Sequence, residues 1–131
     1  MDLSHSENII LRYAITQPAY LETCRAEYFK NSGFQEIFIM ARKFWERYHE
    51  VPTADQLQET VKLENKTDKV SAGEIQAVYD VDLAKYQEDW LTETTELFIE
   101  YKNRIIKHGK IKEIYEFNFG NNFSINSRLY K

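Results

Sequence analysis

The chain has 131 residues, with 17 Lys and Arg against 21 Asp and Glu, for a formal charge of −4. That length supports one ordinary domain with a sizeable core, and a composition 43% hydrophobic and 29% charged excludes a disordered chain. No apolar run approaches the ~20 residues a membrane span needs; Met1 to Glu7 lack the features of a signal peptide, and the lone Cys24 suits a reducing cytoplasm.

Only four Gly and two Pro stand against eight Phe, nine Tyr and two Trp. So few chain breakers predict a small number of helices rather than turn-rich β structure. In chain order, Ser6 is an expected N-cap with Glu7 in the first turn, and Ile9, Ile10, Tyr13 and Ala14 recur at helical spacing. Pro18 opens a short second helix, and Asn31-Ser32-Gly33 is a turn signal. Phe34, Ile37, Phe38, Ala41, Trp45 and Tyr48 line one face of a helix that Pro52 closes. Thr53 with Gln56, and Ser71 with Glu74, have the spacing of capping boxes for two further helices.

The longest predicted helix runs from Gln87 to Phe117. Its seam is Leu91, Thr94, Phe98, Tyr101, Ile105 and His108, widened by Trp90, Leu97 and Ile111. Gly109, inside this pattern, costs about 1 kcal/mol relative to Ala and marks a place for a kink or break. From Phe117 the pattern changes: Phe119, Phe123, Ile125 and Leu129 alternate with small polar residues, which predicts an extended tail. The expected architecture is therefore all-α, a compact helical bundle with a long C-terminal helix over residues 1–116, followed by a tail or linker at 117–131.

Catalytic signatures are missing from this pattern. The only Gly-Lys pair, Gly109-Lys110, is followed by Ile111 and preceded by Arg104 where a P-loop needs glycine. His5, His49 and His108 have no Cys or acidic neighbours at metal-ligand spacing, and Cys24 has no activating neighbour. The expectation is a non-enzymatic chain with no catalytic, cofactor or metal residues of its own.

Charge is segregated along the end of the chain. From Glu74 to Glu100 there are eight acids and one base, Lys85; from Tyr101 to Lys112 the bases Lys102, Arg104, Lys107, Lys110 and Lys112 stand without an acid. The helix dipole favours this order by itself. The same pattern also offers an acidic surface for a basic partner beside a basic stretch for an acidic one, and Lys102, Arg104 and Lys107 as a candidate phosphate contact, the latter weakened by the overall acidity.

The order of these signals resembles the N-terminal domain of DnaB-type replicative DNA helicases. Glu7-Asn8-Ile9-Ile10-Leu11 with Ile15-Thr16-Gln17-Pro18-Ala19-Tyr20-Leu21 is similar to that domain's opening pair of helices. Glu27-Tyr28-Phe29, Ile37-Phe38 with Ala41 and Phe44, and Tyr48-His49-Glu50-Val51-Pro52-Thr53 with Leu57 follow in the family's order. Glu88-Asp89-Trp90-Leu91 with Glu93-Thr94, ahead of a basic helix, is closest to the version in tailed-phage helicases. The resemblance covers residues 7–116, and the tail does not align.

The resemblance implies a helical head with a long-helix hairpin that pairs with other copies, as dimer or hexamer, into a collar above a motor ring. It implies contacts with a primase or helicase loader, only weak or indirect DNA contact, no membrane, and ATP and Mg²⁺ only in a separate motor domain. The setting it implies is the cytoplasm of a bacterial cell or phage-infected host. Phe34, Trp90 and Leu97 are expected in the core, and Tyr101, Ile105, His108 and Tyr115 at an oligomer or partner interface. Phe119, Phe123 and Ile125 are expected to dock the tail on a neighbour. The other reading, from a different class, is a stand-alone helical adaptor or inhibitor of phage or mobile-element origin that binds a helicase, primase or other partner.

Overall fold

The computed structural model describes residues 6–118, and side chains through Lys107. Six α-helices follow in order: α1 (Glu7–Ala14), α2 (Pro18–Thr23), α3 (Ser32–Tyr48), α4 (Ala54–Leu63), α5 (Ala72–Tyr79) and α6 (Glu88–Asn118). Short 3₁₀ turns at Ala26–Tyr28 and Leu83–Lys85 complete the path. Among the described residues there is no strand, and α6 runs through Gly109 as one continuous helix that includes Phe117. The expected tail, with Phe119, Phe123 and Ile125, lies outside the described residues.

Local chemistry explains most of the boundaries. Pro18 occupies the first turn of α2, where a missing N–H costs nothing. Both predicted capping boxes are formed: Thr53 with Gln56 starts α4, and Ser71 with Glu74 starts α5. Two boundaries differ from expectation. The helix expected from Phe34 starts at Ser32, because the Asn31 side chain accepts from Gly33 N at 2.7 Å and Phe34 N at 3.1 Å. Ser6 makes no side-chain cap to α1.

The end of α3 is set by His49, whose φ of 57° is left-handed and whose N–H reaches Trp45 O at 2.8 Å. Its imidazole stands edge-on to the Trp45 ring, 5.3 Å between centroids. His49 thus closes a helix, in keeping with its place in the sequence.

The short α1 is the hub. It packs against α2, α3, α5 and α6, and buries Ile10, Leu11, Tyr13 and Ala14. Around it the core gathers Leu21, Tyr28, Phe29, Ile37, Phe38, Leu57, Val61, Val70, Ile75, Val78 and Phe98. The Phe29 ring lies 5.9 Å from Phe38 and 5.2 Å from Phe98, so one aromatic column ties α3 to α6.

Glu7, expected to serve only the helix dipole, is 4% exposed. One carboxylate oxygen accepts from Lys30 N at 3.0 Å and the other lies 3.9 Å from Lys102 Nζ, so it joins α1, the segment before α3, and α6. The loop after α4 is anchored likewise. Lys66 donates to Glu36 at 2.6 Å and lies 3.4 Å from Glu64, which ties the loop to α3.

Several groups hold their protons more tightly in the folded chain. Burial pushes Tyr79 up to about 12, although Arg12 above its ring works the other way. Burial, then a hydrogen bond to Glu96, takes Tyr20 up to about 12, and burial takes the Cys24 thiol to about 12. All three folded values are raised, so their contribution is complete below the unfolded values of 9.0 to 10.0 and is lost as pH rises towards about 12. Stability measured by urea titration is therefore expected to fall steeply above pH 9 to 10. Tyr79 donates to Pro52 O at 2.7 Å. Tyr79→Phe should cost about 1 kcal/mol at pH 7 and make the alkaline decline shallower by about one proton's worth, ~1.4 kcal/mol per pH unit. An unchanged alkaline slope would show that Tyr79 does not contribute to it.

Candidate assembly surface

The long helix has two apolar seams one residue apart. One is Leu91, Thr95, Phe98, the stem of Lys102 and Ile106; the other is Trp90, Thr94, Leu97, Tyr101 and Ile105. Each steps by three and four residues, so either forms a continuous stripe. Only one can face a head lying on one side of the helix.

The structure turns the first seam inward. Leu91, Thr95 and Phe98 are buried, and Ile99 and Ile106 pack against the core from its edge. Polar contacts fix this rotation. Tyr13 Oη donates to a Glu88 carboxylate oxygen and lies 2.9 Å from Thr92 Oγ1; Tyr20 Oη donates to Glu96 at 3.0 Å; Tyr28 Oη donates to Asn103 at 3.4 Å. Glu88, Thr92, Glu96 and Asn103 follow one edge of α6, and the three tyrosines come from α1, α2 and the Ala26–Tyr28 turn.

The second seam faces outward. Trp90 is 39% exposed, Leu97 42% and Ile105 48%, while Tyr101 is half-buried. Tyr86 stacks on Trp90 at 5.2 Å with 23° between the ring planes, which holds the indole flat at the head of the stripe. Two core assignments made from the sequence are thereby corrected: Trp90 and Leu97 lie on the surface, because the tyrosine contacts select the neighbouring seam. Phe34 is half-buried and packs on the core. The sequence carries two seams of which a head of this size can cover only one, but nothing local says which.

The other expected site residues separate. Tyr101 and Ile105 lie together on the outward stripe, whereas the side chains of His108 and Tyr115 are outside the described residues. The three bases do not form one patch. Lys102 is folded inward, with its ammonium 3.9 Å from Glu7 and 5.7 Å from the centre of the Phe98 ring. Arg104 lies 3.9 Å from Glu100 on the surface, and Lys107 is exposed. Lys102 serves the α1–α6 junction and is set apart from Arg104 and Lys107, which face outward. Glu88 and Glu96 are likewise engaged by tyrosines, so the outward acids near the stripe are chiefly Asp89 and Glu93.

Cys24 is fully buried with a raised pKa, which keeps the thiol protonated and shielded. Among the described residues no group of three His, Cys, Asp or Glu side chains is gathered as a metal site, and no helix is long and apolar enough to cross a membrane. No family model matches the chain, and searches of curated proteins and of solved structures return no match.

The rotation of α6 has a direct mutational consequence. Phe98→Ala should destabilise by about 3 to 5 kcal/mol, as for a fully buried aromatic. Trp90→Ala, although it removes a larger side chain, should cost less than about 1 kcal/mol in the isolated chain. Equal losses in chemical denaturation would show that both seams are packed.

Proposed function

We propose that the chain is a non-catalytic assembly domain of a replicative DNA helicase of the DnaB type. In this reading it pairs subunits into a collar and presents a surface to a primase or loader, while ATP hydrolysis belongs to a separate motor domain. The observation that carries it is the outward stripe of Trp90, Leu97, Tyr101 and Ile105. Large apolar side chains aligned along one helix face are characteristic of surfaces that become covered on association.

The charges favour a second copy as the cover. The α6 helix is about 46 Å long at 1.5 Å per residue, with Asp89 and Glu93 beside the stripe near its start and Arg104 and Lys107 nearer its middle. Two copies related by a two-fold axis with α6 antiparallel bring Trp90 of each near Ile105 of the other, and acids opposite bases. Such an isologous contact is self-complementary and closes on itself.

Light scattering after size-exclusion chromatography tests the pairing. The wild-type chain should show a concentration-dependent dimer or higher assembly, and Trp90→Glu combined with Ile105→Glu should yield a folded monomer with unchanged helical circular dichroism. Association should weaken as salt rises, because the flanking charges are exposed. A strict monomer at about 1 mM, the limit of weak association, would count against assembly. The link to a helicase is tested separately: a Gly-Lys-Ser/Thr P-loop encoded downstream in the same reading frame supports it, and the stand-alone adaptor reading expects none.

A further inference from the structure

A second surface feature lies on α3 and α4 and shares no residue with the α6 stripe. The last three turns of α3 place Met40, Phe44 and Tyr48 on one strip, with Lys43 and Arg47 beside it. The turn at Pro52-Thr53 brings α4 back along α3, so that Thr60 and Glu64 form the opposite wall. Between them is an open groove of about 220 Å³. That is below the several hundred Å³ of a typical small-molecule site, and suits one large apolar side chain of an incoming chain.

The groove is organised in advance. The Phe44 and Tyr48 rings contact each other at 4.6 Å, and the Arg47 guanidinium lies 5.4 Å from the centre of the Tyr48 ring. Met40 supplies an adaptable thioether floor. Tyr48 is 52% exposed, and Leu63, one turn from Thr60 on α4, is 82% exposed. Tyr48 and Leu63 thus present apolar surface to solvent.

Electrostatics choose the occupant. Lys43 and Arg47 take part in no ion pair among the described residues, while Arg42 is matched by Glu46 and Lys62 by Glu59. The one acid in the groove, Glu64, lies 3.4 Å from Lys66, which partly neutralises it. In a chain whose formal charge is −4, this leaves a local positive rim around an apolar slot.

We infer that the groove between α3 and α4 binds an acidic peptide segment of a partner protein, with one aromatic or large aliphatic side chain seated between Phe44, Tyr48 and Met40. Its flanking carboxylates pair with Lys43 and Arg47. Two cations and an apolar slot fit a short acidic segment better than a nucleic-acid backbone, which requires a longer track of cations. The inference does not depend on the helicase reading or on pairing through α6.

The probe is a fluorescein-labelled peptide of three aspartates followed by leucine and phenylalanine, titrated with the full chain and read by fluorescence anisotropy. Saturable binding in the micromolar range is expected, weakening as salt rises. Lys43→Glu with Arg47→Glu should weaken it by about tenfold or more, as should asparagine for aspartate in the peptide. Tyr48→Ala, or serine for the peptide's phenylalanine, should weaken it comparably. All these positions are exposed, and circular dichroism and Tm should match the wild type. Chemical-shift changes confined to α3 and α4 would place the peptide in the groove. No saturation at about 1 mM peptide, undiminished binding by the Lys43/Arg47 variant, or shift changes centred on α6 would overturn the proposal. So would tighter binding of single-stranded oligo-dT, lost in that variant, which would assign the patch to nucleic acid.

Discussion

Three tyrosine hydroxyls and one lysine fix the rotation of α6 on the head, and from that single constraint the division of the molecule into core and surface follows. Tyr13, Tyr20 and Tyr28 engage Glu88, Thr92, Glu96 and Asn103, and Lys102 meets the buried carboxylate of Glu7. Turning α6 by about one residue, roughly 100° at 3.6 residues per turn, would bring Trp90 and Leu97 inward. It would also strand those hydroxyls and leave Glu7 without its cation, and an unpaired buried carboxylate costs several kcal/mol. Apolar area alone favours neither seam strongly; the polar contacts decide.

The elements themselves were legible in the sequence because their signals are local. Thr53 with Gln56 and Ser71 with Glu74 specify helix starts within four residues, and Pro18 and Pro52 mark their boundaries whatever packs above them. Asn31 shows the limit of such reading: it was recognised as part of a turn, yet its side chain makes it the cap and starts α3 two residues before Phe34. Ser6 shows the reverse, a good cap residue whose side chain is not used.

Which face of α6 lies inward was not legible, and the reason is physical. Period alone permits two seams, and the larger side chains, Trp90 and Leu97, are on the outer one. The deciding partners are contributed by segments more than seventy residues away in the chain. The use of the charges depends on the same distant partners. Glu88, Glu96 and Lys102 belong by composition to acidic and basic blocks, but each is used within the fold, which leaves Asp89, Glu93, Arg104 and Lys107 to shape the outer surface. The groove at Lys43 and Arg47 was likewise invisible, because its opposite wall comes from α4.

The tyrosine contacts to α6 span 75 to 79 residues of chain. Closing a loop of that length costs roughly 4 kcal/mol in chain entropy, beyond a constant. No single hydrogen bond, at about 1 kcal/mol, offsets this. Burying Leu91 and Phe98, at about 2 to 3 kcal/mol each, together with the polar contacts does. Docking of α6 is consequently concerted: the contacts form and break together as one unit. Slow amide exchange along the first half of α6 would then report the free energy of undocking that whole helix, a quantity separable from the global stability of α1 to α5.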